Sequence, residues 1–142
     1  MHPSKISLFS ILVATAVVAT PGLAQSAPEG TQAHMNEVSC DHLHAAQKRM
    51  QSGLAAIRKR YASDTAFLAK FEAAQRAWQR YADAELDAYY PVANTNPGEY
   101  GSVFTACFCD EKAGLILERV KELEVWLAPR EDGNSCKGSR PS

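Results

Sequence analysis

Apolar residues recur at steps of three and four in three separate stretches of this chain, and no stretch of useful length alternates as a strand would. The first stripe is Leu43, Ala46, Met50, Leu54, Ile57 and Tyr61, with Ser39 as the expected N-cap. Arg58, Lys59 and Arg60 place positive charge at its C-terminal end, where the helix dipole favours it. Asp64 caps a second helix expected over residues 65–90, whose stripe is Phe67, Phe71, Ala74, Trp78, Tyr81 with Ala82, Glu85 with Leu86, and Tyr89. Pro91 ends it, and the Asn, Pro and Gly residues of 91–101 read as a loop. The third helix is expected over about 103–127, on Cys109, Ala113, Ile116, Val120, Leu123 and Leu127, with Pro129 stopping it. These patterns predict an all-α chain: an antiparallel three-helix bundle with disulfides and a C-terminal tail.

Before the first stripe, the chain reads as an export signal. Lys5 supplies positive charge, 6–19 is mostly apolar, and Pro21 and Gly22 break the run. Gly22-Leu23-Ala24 fits the small-x-small cleavage rule, so residues 1–24 are expected to be removed, with a later cut after Ala27 as the alternative. A retained anchor is the competing reading, but the run is shorter than the ~20 residues a span needs. The expected location is the periplasm or outside the cell, with no membrane attachment after cleavage. One domain over 32–136 follows, with a tail at 137–142. Lys plus Arg number 15 against 16 Asp plus Glu, which excludes a polybasic nucleic-acid footprint. A hydrophobic content of 46% excludes an acidic disordered chain.

In an oxidising compartment the four cysteines, Cys40, Cys107, Cys109 and Cys136, read first as disulfides. A redox pair or zinc site is the minor reading, since Cys107-Phe108-Cys109 is CxC rather than CxxC. In an up-down-up bundle the starts of helices one and three share an end, so Cys40, expected to open helix one, can meet Cys107 or Cys109. Residues two apart on a helix point about 200° apart. The third stripe, extended backwards, puts Cys109 inward. Cys40 is therefore paired with Cys109, and Cys107 is left for Cys136. That second bond requires the tail to run back along the bundle, and a free or intermolecular Cys136 is its alternative.

No GxSxG, HExxH or Gly-rich phosphate loop occurs, so the chain is not read as an enzyme and no cofactor is expected. Asp83, Glu85 and Asp87 fan around their helix. Glu85 is expected to pair with Arg119 or Arg76, and Asp83 with Arg119 is the alternative pair. His34, Cys40, His42 and His44 could hold zinc only if Cys40 were reduced, and His42 and His44 do not share a helix face. No metal site is therefore assigned. Trp78 and Trp126 are expected in the core, with Trp126 near enough to its edge to border a contact surface. The 91–101 loop is long for a helix connection and is the candidate binding element, through Asn94, Asn96, Glu99 and Tyr100, with an ordinary surface linker as its alternative.

The most specific string is 74–84, Ala-Gln-Arg-Ala-Trp-Gln-Arg-Tyr-Ala-Asp-Ala. It resembles the AQRAWxxYRDA signature of the lysozyme inhibitor LprI-type N-terminal domain family. In order along the chain, Met35-Asn36, Tyr90-Pro91, Tyr100-Gly101-Ser102, Cys107, Leu115, Arg119, Leu123, Trp126-Leu127 and Cys136 resemble further family positions. The resemblance implies structural roles for Gln75, Arg76, Trp78, Tyr81, Asp83, Arg119, Leu123 and Trp126. Two positions depart: Ala82 stands where the family has Arg, and Ile116 where it has Thr. Both exchange a polar group for an apolar one on neighbouring helices, as if a polar contact had become a dry one. The lipid-attachment cysteine of the lipoprotein that gives the family its name is absent. The resemblance implies a helical exported domain that inhibits lysozyme without catalysis, by steric blockage of the cleft. Lysozymes are typically basic with two cleft carboxylates, which suits a mildly acidic partner. The alternatives are a periplasmic interaction or envelope-stress module with another protein partner, and, more distantly, a metal module built on the histidines.

Overall fold

A computed structural model describes residues 26–129 and 138–140. It contains three long helices, α1 (Gln32–Arg60), α2 (Thr65–Tyr89) and α3 (Phe104–Glu124), with a short 3-10 turn at Pro97–Tyr100. No strand occurs among the described residues, and no helix there is long and apolar enough to cross a membrane.

The first helix begins eight residues before the expected position. Thr31 is its N-cap, its side chain accepting from the His34 N–H at 3.1 Å. Ser39 is instead an interior residue, buried, with its hydroxyl donating to Asp110 Oδ2 of α3 at 3.1 Å. The first stripe began at Leu43, so the preceding turns of α1, where Met35 and Val38 are exposed, gave no apolar signal. The chain before the cap also folds onto this helix, the Ala27 N–H donating to Glu37 Oε2 at 2.9 Å. Asp64 caps α2 as expected, accepting from the Phe67 N–H. The third helix ends at Glu124 and continues as a turn through Leu127.

Helices α1 and α3 run parallel and pack closely, and α2 lies antiparallel to both. Small residues permit this close approach: Ala46 faces the Cys109 and Ala113 side of α3, with Leu43 and Ile116 filling the gaps. A second cluster closes the other end, with Leu54, Ile57, Tyr61, Phe71 and Leu123 buried and Phe67, Trp126 and Leu127 packed against them. Ile57 and Leu123 are nearly inaccessible, and each stabilises the fold by about 2 kcal/mol through burial. Phe67 stacks on Tyr61 at 4.1 Å and tilts against Trp126 at 5.1 Å. The Tyr61 hydroxyl donates to the Trp126 carbonyl at 3.0 Å, and burial raises its pKa above the usual value.

The expected α1 and α3 stripes are buried, apart from half-buried Met50 and Leu127. On α2 the buried line is Phe71, Gln75, Ala82 and Leu86. Ala74, Tyr81, Glu85 and Tyr89 were expected on this stripe; Ala74, Tyr81 and Tyr89 are exposed and Glu85 is half-buried. The buried position is taken by a glutamine, which an apolar period does not reveal.

The Cys40–Cys109 disulfide is present, joining α1 to α3 with the Cα atoms 5.0 Å apart. Cys40 does not open its helix; it lies eight residues in, and the two parallel helices still bring it level with Cys109. Cys107 is half-buried and has no disulfide partner among the described residues. Its expected partner, Cys136, lies outside the described residues, as do the leader and half of the tail.

Candidate functional site

Where α2 stands off from the α1–α3 pair, a groove of about 670 Å³ opens between the three helices. One face of each helix lines it: Gln47, Met50 and Gln51 from α1, Arg76, Gln79, Arg80 and Asp83 from α2, and Lys112, Leu115 and Ile116 from α3. Steps of three and four put each set on one side of its helix. Trp78, Ala82 and Leu86 complete the apolar floor.

At one end of the groove Gln75 is buried, 4% exposed, and links all three helices. Its amide donates to Met50 Sδ at 3.8 Å and its carbonyl accepts from Arg119 Nε at 3.0 Å. Arg119 also donates to Glu122 Oε2 at 2.7 Å, and its guanidinium lies 5.8 Å from the Trp78 ring centroid. Arg119 was expected to pair with Glu85 or Asp83; it pairs with neither. A neutral amide meets the guanidinium instead, which avoids burying a second charge. Gln75, Trp78 and Arg119 form one inter-helix contact. Tyr81 is 55% exposed and points away from it. Arg76 and Asp83 are exposed on the groove rim. Leu123 is buried, and half-buried Trp126 packs on Phe67 and Phe71, with the Arg140 guanidinium 5.6 Å from its ring centroid.

The loop after α2 is ordered by aromatic packing. Tyr90, Tyr100, Phe104 and Phe108 form a cluster with centroids 5.2–6.0 Å apart. Burial, then the neighbouring Cys107 and Glu111, raises the Tyr90 pKa. Tyr100 belongs to this packing, and its hydroxyl accepts from the Val92 N–H at 3.2 Å. Asn96 and Glu99 are exposed and hydrogen-bonded to each other at 3.3 Å. Asn94 is exposed and lines a smaller hollow of about 200 Å³ with Asp83, Asp87 and Lys112. Of the four loop candidates, three thus face solvent and the fourth holds the loop in shape.

A profile of the lysozyme inhibitor LprI family matches residues 24–123. The chain belongs to the lysozyme inhibitor LprI family. The match contains the Gln75–Asp83 string and Arg119, whereas Trp126 and Cys136 lie beyond it. No curated protein and no solved structure matches the chain. Ala82 and Ile116 line the same groove, and both are buried.

Two features of the surface were not drawn from the sequence. The groove needs the offset of α2, although the glutamines Gln47, Gln51 and Gln79 at helical spacing were a trace of it. The other is charge segregation. Residues 26–47 and 81–112 carry nine carboxylates and one Lys, whereas 48–80 and 113–129 carry ten Lys and Arg against five carboxylates. The helix directions put the first set at the loop-bearing end and the second at the opposite end. The ends therefore carry net charges of about −8 and +5 from these counts. Among the described residues no group of three or more His, Cys, Asp or Glu could hold a metal.

Proposed function

We propose that this chain is an exported, non-catalytic inhibitor of lysozyme that docks by its acidic, loop-bearing end. Membership of a family named for lysozyme inhibition is the observation that carries this reading. The charge layout supports it, because nine carboxylates at one end complement a basic enzyme. The loop supplies exposed Asn94, Asn96 and Glu99 at that end, held on a rigid aromatic base. A surface of this kind blocks sugar entry by occupying the mouth of the cleft, with no bond made or broken.

The test is lysis of peptidoglycan by a c-type lysozyme, titrated with the full chain expressed with its own leader and purified oxidised. Dose-dependent, saturable inhibition is expected. Replacing Asp87, Glu99 and Asp110 together by Asn, Gln and Asn is expected to weaken it by roughly tenfold, since three like charges leave the contact face. Lysis unchanged at a large excess of the protein would overturn the proposal and favour another protein partner in the same compartment.

A further inference from the structure

We propose that the groove between α1, α2 and α3 binds a glycan strand of N-acetylated sugars that carry carboxylates. Its volume of about 670 Å³ lies in the range of small-molecule sites. Seven of its thirteen lining residues are polar or charged and stand around an apolar floor with one aromatic ring, a make-up richer in polar groups than most small-molecule sites and suited to a polar ligand. Half-buried Trp78 lines the floor and supplies aromatic surface for a sugar. Around it stand the amides of Gln47, Gln51 and Gln79, each both donor and acceptor, which match hydroxyl and N-acetyl groups.

The cations select the charge of the ligand. Arg76, Arg80 and Lys112 line the groove, and among the described residues none is ion-paired. Guanidinium groups bind carboxylates in a bidentate fashion. Asp83 on the same rim repels a run of carboxylates but accepts from sugar hydroxyls, which favours a glycan over an acidic peptide. The lining is helical, so its backbone groups are paired internally and offer no edge for an extended peptide. A second copy of the groove would bring like charges face to face. Room for the ligand depends on Ala82, since a long side chain there would enter the space.

The groove adjoins the acidic docking end through Asp83 and Lys112, but its test reads glycan binding and not lysis, so its failure and that of lysozyme inhibition are distinguishable. The test is an NMR titration of the ¹⁵N-labelled, oxidised full chain, following the indole N–H of Trp78 with that of Trp126 as internal reference. The probes are the N-acetylglucosamine–N-acetylmuramic acid disaccharide, neutral di-N-acetylchitobiose and a tetraglutamate peptide. A saturable shift of Trp78 alone is expected with the first. Affinity is expected to be roughly tenfold lower for chitobiose, and lower by a similar factor for the carboxylated disaccharide on R76Q/R80Q. Both arginines are exposed and outside the core, so that variant keeps the fold. The proposal is overturned by an absence of saturable shift, by equal affinity for the two disaccharides, by an unchanged R76Q/R80Q, or by tetraglutamate binding as tightly as the glycan.

Discussion

Gln75 is the residue on which the three helices meet. It occupies a stripe position that an apolar residue would fill at less risk, because a buried amide must find partners. Here it finds them on two other helices, Met50 Sδ and Arg119 Nε. The Arg119 side chain is only 14% exposed, so the hydrogen bond is sheltered and charge-assisted. A double-mutant cycle of Gln75→Ala and Arg119→Ala is expected to give a coupling of about 1.5–3 kcal/mol in urea unfolding. A coupling near zero would mean that Glu122 and the Trp78 face alone satisfy the guanidinium. The role of this glutamine follows from geometry: an amide accepts from one helix while donating to another, which neither Leu nor Glu does without leaving a group unpaired.

At the scale of the elements, the helices were legible where their faces are apolar and obscure where they are not. Leu43 to Tyr61 and Cys109 to Leu123 announce α1 and α3 because a core of small and branched residues repeats along them. The first turns of α1 were missed because Met35 and Val38 stay exposed, so the apolar stripe gave no reason to place the cap before Ser39. The pairing of Cys40 with Cys109 was readable because it depends on helix direction and phase, which tolerate an error of two turns in where α1 starts. The groove was not readable, because it arises from how far α2 stands off. The same description predicts effects on stability. Gly53 lies inside α1, and a Cβ there meets nothing within 4 Å, so Gly53→Ala is expected to stabilise by about 1 kcal/mol. Gly101 has φ +69°, so Gly101→Ala is expected to cost about 1–2 kcal/mol despite equally open space. Thermal unfolding of the two variants checks the contrast. Between α1 and α2, Arg58 donates to Glu72 at 2.6 Å and lowers its pKa below the ordinary carboxylate value, chiefly through that hydrogen bond. The stability added by Glu72 is therefore complete above its unfolded pKa and is lost as pH falls through the lower, folded one. Glu72→Gln is expected to cost about 0.2–1 kcal/mol at pH 7, the small worth of a largely exposed pair, and nothing once both forms are neutral in acid.

At the scale of the whole molecule, the proposed docking makes the opposed charges of the two ends decide how the chain meets a partner. The net charge of the full sequence is −1, which hides about −8 at one end and +5 at the other. Such a layout orients an approaching basic protein towards the loop before any contact forms, and it does so over a range set by the Debye length, about 10 Å at 0.1 M salt. The oriented encounter raises the association rate, whereas dissociation is governed by short-range contacts at the loop. Surface-binding kinetics against immobilised c-type lysozyme should therefore show a fall in association rate of roughly tenfold or more between 0.02 and 0.3 M salt, with a far smaller change in dissociation rate. Reversing charge at the far end, with Lys59→Glu and Lys70→Glu, should leave the salt slope nearly unchanged, since those groups lie well beyond a Debye length from the loop. Reversing Asp87 and Glu99 to Lys should flatten it. If both pairs altered the slope equally, only the summed charge would matter and the acidic end would not be the docking surface. A salt-independent association would instead place recognition in the uncharged part of the loop, with Asn94 and Asn96 as the groups to change next.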